Sequence, residues 1–120
     1  AGPPSASMSH AADALDEMLA RWPDVDAIVC ASDLHAFGVL SQCQRRGVET
    51  PGRVALAGFG DFEVARCCHP RLTTIAVDCH EIGRRAAQAA LSAIAARRSG
   101  EPRAPQTVEI PFRVVARETT

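Results

Sequence analysis

A short apolar run, a polar turn and an amphipathic segment follow one another between residues 26 and 47. After the apolar residues 28–31, Ser32-Asp33 supplies side-chain oxygens that can accept hydrogen bonds from the free N–H groups at a helix start. Apolar residues then recur every three or four positions as far as Gly47, a residue typical of a helix end. A buried strand that enters a helix through a polar turn is the half-unit of α/β folds, so this stretch favours that class.

A second strand is predicted over residues 53–57, directly before Gly58-Phe59-Gly60-Asp61. The spacing of strand, helix, short loop and strand is typical of a right-handed βαβ crossover, in which the two strands are parallel. Ser32-Asp33 and Gly58–Asp61 then leave the same carboxyl edge of one sheet. We expect them to lie side by side, at the edge where α/β folds collect ligands.

The remaining pattern completes a parallel sheet flanked by helices. The predicted elements are a first helix from Ser7 or Ser9 to Arg21 with an apolar face that includes Trp22, a first strand over 25–31, a short helix over 62–68, a third strand over 72–77, a long helix from the capping box Asp78/Glu81 to about Arg98, and two short strands over 107–110 and 112–116. The long helix has apolar residues on more than one stripe, so we expect it to need partners on two sides.

The composition excludes several classes of function for this chain. The 120 residues suffice for one domain with a real core, and a formal net charge of -1 argues against a nucleic-acid clamp within this chain. No apolar run approaches the ~20 residues of a membrane helix, and the first residues lack the pattern of a signal peptide. The five cysteines, an odd number placed inside predicted elements, favour reduced thiols and a cytoplasmic location. We predict neither a metal nor a cofactor.

Asp33 has two interpretations, a helix cap or an acceptor for a ligand hydroxyl, and Ser32 and Asp33 can divide the two roles. Gly58-x-Gly60 fails the dinucleotide pattern because Glu63 occupies the third glycine position, so these glycines more simply allow the backbone to turn sharply or to approach a ligand. The four histidines are scattered, and no nucleophile stands with a base, so an enzyme is not predicted.

Four motifs in order resemble the LacI/GalR family of bacterial transcription regulators. They are DAIVCASDLHAFGVL, RRGVETPGRVALAGFGDFEVAR, HPRLTTIAVDCHEIGRRAA and the ending VVARETT, and the resemblance covers residues 8 to 120. It implies a partial periplasmic-binding-protein-like I fold, a homodimer, and control of operator DNA through an N-terminal helix-turn-helix that this chain does not contain. By the same resemblance, residues 8–71 and 104–120 form the C-terminal subdomain after a loop at 1–7, and residues 72–103 cross to an N-terminal subdomain.

Site residues follow from the resemblance position by position. Ser32 matches an effector-contacting Asn, with Asp33 beside it; Gly60 matches the aspartate that binds an effector hydroxyl, and Asp61 matches the next acid. Val77 and Cys79 match positions that line the effector cleft, and Phe37, Cys67 and Cys68 match the dimer interface. The GFGD turn resembles the gluconate-repressor branch, which favours a sugar acid over a neutral sugar as the effector. The alternatives are a sugar-binding protein of a transport system and a small α/β enzyme that uses Asp33 or Asp61.

Overall fold

The computed structural model describes residues 7–100 and 104–120, so the loop predicted over 1–7 lies, except for Ser7, outside the described residues. The helices and strands, in chain order, are α1 Met8–Arg21, β1 Ala27–Val29, α2 Asp33–Arg46, β2 Ala55–Phe59, α3 Glu63–Cys67, β3 Thr73–Val77, α4 Cys79–Ser99 and β4 Phe112–Val115.

The strands form one sheet in the order β1-β2-β3-β4. β1 and β2 are parallel, with Ile28 opposite Leu56, and β2 and β3 are parallel, with Gly58 opposite Thr74. Helix α2 connects β1 to β2, so the predicted βαβ unit is present. The α/β class and its parallel sheet are confirmed, and the carboxyl ends of three adjacent strands meet at one edge.

The helix boundaries follow the predicted caps. Ser7 and Ser32 each accept a hydrogen bond from the backbone N–H three residues on, at 3.2 and 3.3 Å. Gly47 ends α2 in the left-handed conformation, with φ 67°, where a side chain would be strained. Asp78 accepts from Glu81 N at 2.8 Å at the start of α4, as the capping-box pattern predicts.

The hydrophobic core lies where α1 and α2 pack on the sheet. Its buried residues are Ala11, Leu15, Ile28, Ala36, Val39, Leu40, Cys43, Val54, Leu56, Ala65 and Leu72. The predicted apolar face of α1 is too wide, because Trp22 is 54% exposed. Trp22 is the C-cap residue with non-helical φ and ψ, so it has left the helical face, and its ring lies 5.0 Å from the Arg21 guanidinium.

The described residues divide into two compact units, 7–76 with 113–120, and 77–100 with 104–112. The second unit contains α4, none of whose residues is buried. Its first turn contains Glu81. Hydrogen bonds from Arg84, and secondly from Arg85, lower the pKa of this carboxyl group to about 2.

An apolar hollow of about 240 Å³ lies between α4 and the following segment, and its lining includes Ile82, Ala86, Val108 and Ile110. The assignment of 72–103 to a crossing segment stays a prediction.

Three strand predictions differ from the structure. Residues 107–110 form no strand, although their alternating pattern predicts one, because a strand needs a backbone partner and these residues have no strand pairing among those described. The first strand is shorter than the apolar run, since it covers only Ala27–Val29, while β2 continues through Phe59 rather than ending at Ala57. Strand length is therefore set by the neighbouring strand and not by the apolar run alone.

The close approach of α1 to α2 generates a stability prediction. A Cβ at Gly38 would overlap the carbonyl oxygen of Met8 and lie 3.0 Å from its Cα, so the two helices touch through backbone. We expect Gly38→Ala to lower the free energy of unfolding by about 1–3 kcal/mol, the usual range for overpacking, measured by urea denaturation.

Gly83→Ala is the matched control, because Gly83 lies in the second turn of α4 and a Cβ there meets nothing within 4 Å. Alanine favours the helix over glycine by up to about 1 kcal/mol, so this variant should be no less stable than the wild type. Equal stability of the two variants would contradict the proposed backbone contact.

Candidate functional site

The turns after β1 and β2 lie side by side, as the sequence predicts. Asp33 joins them, since one oxygen of its carboxylate, Oδ2, accepts from Phe62 N at 2.6 Å. The other oxygen, Oδ1, accepts from the hydroxyl of Thr74 in β3 at 2.5 Å. Asp33 and Thr74 are both 0% exposed, so a buried charge is satisfied by two donors from two other segments.

Glycine at position 58 is explained by the same carboxylate. A Cβ on Gly58 would overlap Asp33 Oδ1 and lie 3.1 Å from Asp33 Cα. The absent side chain therefore leaves room for Asp33 against β2. The sequence predicts a sharp turn or a close approach to a ligand, whereas the group that approaches Gly58 is a side chain of the protein itself.

Ser32 and Asp33, the two residues of the first turn, have different hydrogen-bonding roles in the structure. Ser32 caps α2 through its hydroxyl. Asp33 is neither the cap nor an exposed acceptor, because both its oxygens are held inside the protein. Its direct contact with an effector stays a prediction, and what the geometry adds is that Asp33 fixes the backbone of Phe62 and the hydroxyl of Thr74.

Asp61 stands at the turn after β2 with a left-handed backbone, φ 52°. Its carboxylate accepts from Arg117 Nη2 at 2.5 Å and from Arg66 Nη2 at 3.4 Å, and Arg66 also donates to its carbonyl oxygen at 2.9 Å. The hydrogen bond from Arg117 is the main cause that lowers the pKa of Asp61, and burial opposes it. The Arg117 side chain is only 12% exposed, whereas that of Arg66 is 61% exposed.

Hydrogen bonds from the C-terminal segment hold Arg117 in place beside Asp61. Arg117 donates through Nη1 to Leu72 O and through its backbone N–H to Thr73 Oγ1, both at 2.8 Å. Thr119 is fully buried; its hydroxyl donates to Leu56 O at 2.7 Å and accepts from Thr73 N at 2.9 Å. Arg117 is thereby oriented toward Asp61.

Sequence reasoning missed Thr74, Arg117 and Thr119. The threonine pair at 73–74 reads as β-branched strand formers, and the ending VVARETT serves only to mark the family. A signal was present: in a parallel sheet flanked by helices, hydroxyls on a strand need hydrogen-bond partners. The identity of those partners depends on contacts across more than 40 positions, which periodicity does not reveal.

The other predicted site residues have diverse surroundings. Gly60 has φ 120°, and a Cβ there would lie 2.8 Å from the Phe62 ring. Cys67 is exposed, and Phe37 and Cys68 are partly buried against the core.

The two predicted cleft residues belong to the second unit: Val77 is the last residue of β3, and the exposed Cys79 is the first residue of α4. The structure thus brings together Ser32, Asp33, Gly60 and Asp61.

Within 7–100 and 104–120, no group of three or more His, Cys, Asp or Glu side chains could hold a metal ion. None of the helices in these ranges combines the length and the apolar character needed to cross a membrane.

Several known proteins are similar to this chain over nearly its whole length. The profile described as periplasmic binding protein-like domain matches residues 1–120. The HTH-type transcriptional regulator GntR of Pseudomonas aeruginosa is 34% identical over 98% of this chain and 33% of its own length. The structure of transcription regulator GntR from Chromobacterium violaceum is 40% identical, with a TM-score of 0.77 over 95% of this chain and 41% of that one. A LacI family regulator from Arthrobacter sp. FB24, in complex with lactose, is 29% identical, with a TM-score of 0.72 over 96% and 42%.

These matches confirm the resemblance indicated by the four motifs. The named relatives are transcription regulators, in agreement with the prediction that this is not an enzyme. The chain spans about a third of the length of the curated relative from Pseudomonas aeruginosa.

Replacement of Thr74 tests the buried hydrogen bond. Thr74→Val keeps the shape of the side chain but removes the donor to Asp33 Oδ1, leaving a buried carboxylate oxygen without its partner. We expect the free energy of unfolding to fall by about 1–3 kcal/mol, measured by urea denaturation. The exposed Thr107→Val should change it by less than about 0.5 kcal/mol, and an equal effect of both changes would refute the role of Thr74.

Asp61 generates a pH prediction. Its pKa is lowered in the folded protein, so its ionised form contributes stability above the unfolded-state value of 3.8, and this contribution is lost as the pH falls through the folded-state pKa. Asn tolerates the left-handed backbone, so Asp61→Asn removes the charge with little strain. We expect the wild type to exceed Asp61→Asn in free energy of unfolding at neutral pH, and the difference to shrink with acid.

An Arg117→Gln background provides the control for this comparison. Without Arg117, the main cause of the lowered pKa is gone, so Asp61→Asn should have a smaller effect and a weaker pH dependence. A difference between wild type and Asp61→Asn that stays constant from neutral pH to pH ~2 would argue against the Asp61–Arg117 pair.

Proposed function

Because the chain belongs to the periplasmic binding protein-like domain family, as an effector-binding domain of the LacI/GalR type, we propose that it senses a sugar acid and thereby controls a DNA-binding domain elsewhere in the full-length protein. Effector binding would favour one conformation of the sensing domain. A ligand with unequal affinity for two conformations shifts their populations, and the operator affinity changes by the same coupling free energy.

One observation carries the choice of an anionic effector. Both carboxylates of the candidate site are already engaged: Asp33 with Phe62 N and Thr74, and Asp61 with Arg117 and Arg66. Gly60 stands where the family places the aspartate for an effector hydroxyl. Within the two turns, residues 32–33 and 58–61, both carboxylates are therefore paired with donors, which weakens their repulsion of an anion.

The exposed charges at the same edge support this choice. The side chain of Arg66 is 61% exposed although it contacts Asp61, so its remaining N–H groups can reach a ligand. The N-terminus of α2 lies at the same turn, and helix N-termini favour anions. Arg66 and the N-terminus of α2 would both stabilise an effector carboxylate, whereas a neutral sugar would be bound chiefly through its hydroxyl groups.

The proposed effector site keeps all the predicted residues, with roles adjusted to the geometry. Ser32 and Asp61 would meet the effector, Gly60 would allow its close approach, and Asp33 would act mainly by fixing Phe62 N and Thr74. Val77 and Cys79 are proposed to line the cleft because they match such positions in the family.

The proposed assembly is a homodimer located in the cytoplasm, where a regulator meets its operator DNA. Phe37, Cys67 and Cys68 are proposed as interface residues by their positions in the family. A hollow of about 420 Å³ beside Phe37, lined also by Ser41 and Arg45, offers room for side chains of a second copy. Operator contact would belong to a helix-turn-helix outside this chain.

Calorimetric titration of the full-length protein with D-gluconate and D-glucose tests the effector class. We expect gluconate to bind at least about tenfold more tightly, which corresponds to about 1.4 kcal/mol. Arg66→Gln should weaken gluconate binding and leave glucose binding unchanged, because only the acid has a charge for Arg66 to attract.

The control variant is Arg113→Gln, an exposed arginine on β4. It removes one positive charge from the same protein and should leave the affinity for gluconate unchanged. Tight binding of glucose together with no binding of gluconate would end the sugar-acid proposal, while leaving membership of the family intact.

A further inference from the structure

Two cysteines follow one another at the end of α3, outside the candidate effector site. Cys67 is the last residue of the helix and is exposed, and Cys68 is half-buried at the C-cap. The Sγ of Cys68 donates to Pro70 O at 3.3 Å, and neither sulfur is part of a disulfide. The pair therefore presents two free thiols on a single turn of backbone.

A direct disulfide suits this pair poorly. The Cys67–Cys68 peptide bond is trans, which places the two Cα atoms about 3.8 Å apart, whereas disulfides usually span about 4.4–6.8 Å between Cα atoms. A bridging atom between the sulfurs enlarges the ring and relieves this mismatch. The pair is thus better suited to chelate a soft atom than to oxidise internally.

We propose that Cys67 and Cys68 form a binding site for trivalent organic arsenicals. Such a compound brings one carbon substituent of its own, so two thiols complete three-coordinate arsenic. With phenylarsine oxide, two As–S bonds form and the As–O bond breaks. The oxygen leaves with both thiol protons as one water molecule, arsenic stays trivalent, and no oxidant is consumed.

The state of the thiols is compatible with this condensation. Burial raises the pKa of Cys68, which keeps it a protonated thiol at neutral pH and slows reactions that need a thiolate, oxidation among them. In the condensation the proton departs with the arsenical oxygen. Chelation therefore discriminates this pair from isolated thiols, which cannot hold arsenic through two bonds.

Capture would also alter the local structure. The condensation removes the thiol proton of Cys68, so its hydrogen bond to Pro70 O, in the turn before β3, is lost. Arg66, which contacts Asp61, is the residue immediately before the pair. An arsenical bound here would thus act on a segment adjoining the candidate effector site without entering it.

Intact-protein mass spectrometry after treatment with phenylarsine oxide tests the proposal. The folded wild type should gain one phenylarsenic group per chain that survives excess 2-mercaptoethanol and is removed by the dithiol 2,3-dimercaptopropanol. Cys67→Ser and Cys68→Ser should each lose the monothiol-resistant adduct, with occupancy lower by at least about tenfold, because a single As–S bond exchanges with monothiols.

Cys79→Ser is the matched control, since it removes another exposed thiol and should retain the adduct. Thermal unfolding of each variant establishes that the comparison is made on folded protein. The same treatment is applied to Phe37→Asp, in which the proposed dimer surface is disrupted. Resistant capture by the wild type or by Phe37→Asp supports the site; its absence from both, or its persistence in a folded Cys67→Ser or Cys68→Ser variant, overturns it.

Discussion

The buried carboxylate of Asp33 is the constraint on which the carboxyl edge of the sheet depends. A fully buried charge is tolerated only when hydrogen-bonded, and its two partners come from the turn after β2 and from β3. Gly58 provides the space, so one side chain sets the separation of three strand ends. The neighbouring pair of Asp61 and Arg117 repeats this arrangement at the next turn, with the C-terminal segment as the second support.

The sequence was sufficient for features governed by local chemistry. The cap at Asp78, the helix end at Gly47 and the parallel βαβ unit follow from short patterns and are present in the structure. The patterns left the caps open between Ser7 and Ser9 and between Ser32 and Asp33, and the structure has Ser7 and Ser32. The adjacency of the two polar turns also follows, because parallel strands connected through a helix must end at the same edge.

Features that depend on contacts between residues distant in the sequence could not be predicted from the sequence. Residues 107–110 alternate like a strand yet pair with none in the described chain, and Trp22 continues the apolar pattern of α1 yet lies outside its helical geometry. The contacts of Asp33 could not be predicted for the same reason. Its residue type and position suit both a cap and a ligand acceptor, and only the positions of Thr74 and Phe62 in space reveal that both oxygens accept hydrogen bonds within the protein.

The hydrogen bonds of Asp33 reach residues 29 and 41 positions away. A side chain at position 58 would displace the carboxylate, and loss of the hydroxyl at position 74 would leave one of its oxygens without a partner. Positions 33, 58 and 74 therefore form one steric and hydrogen-bonded set, in which a change at one position demands a compensating change at another. The residues proposed to meet the effector, Ser32, Gly60 and Asp61, are not part of this set, so the effector preference can be altered without moving the buried carboxylate.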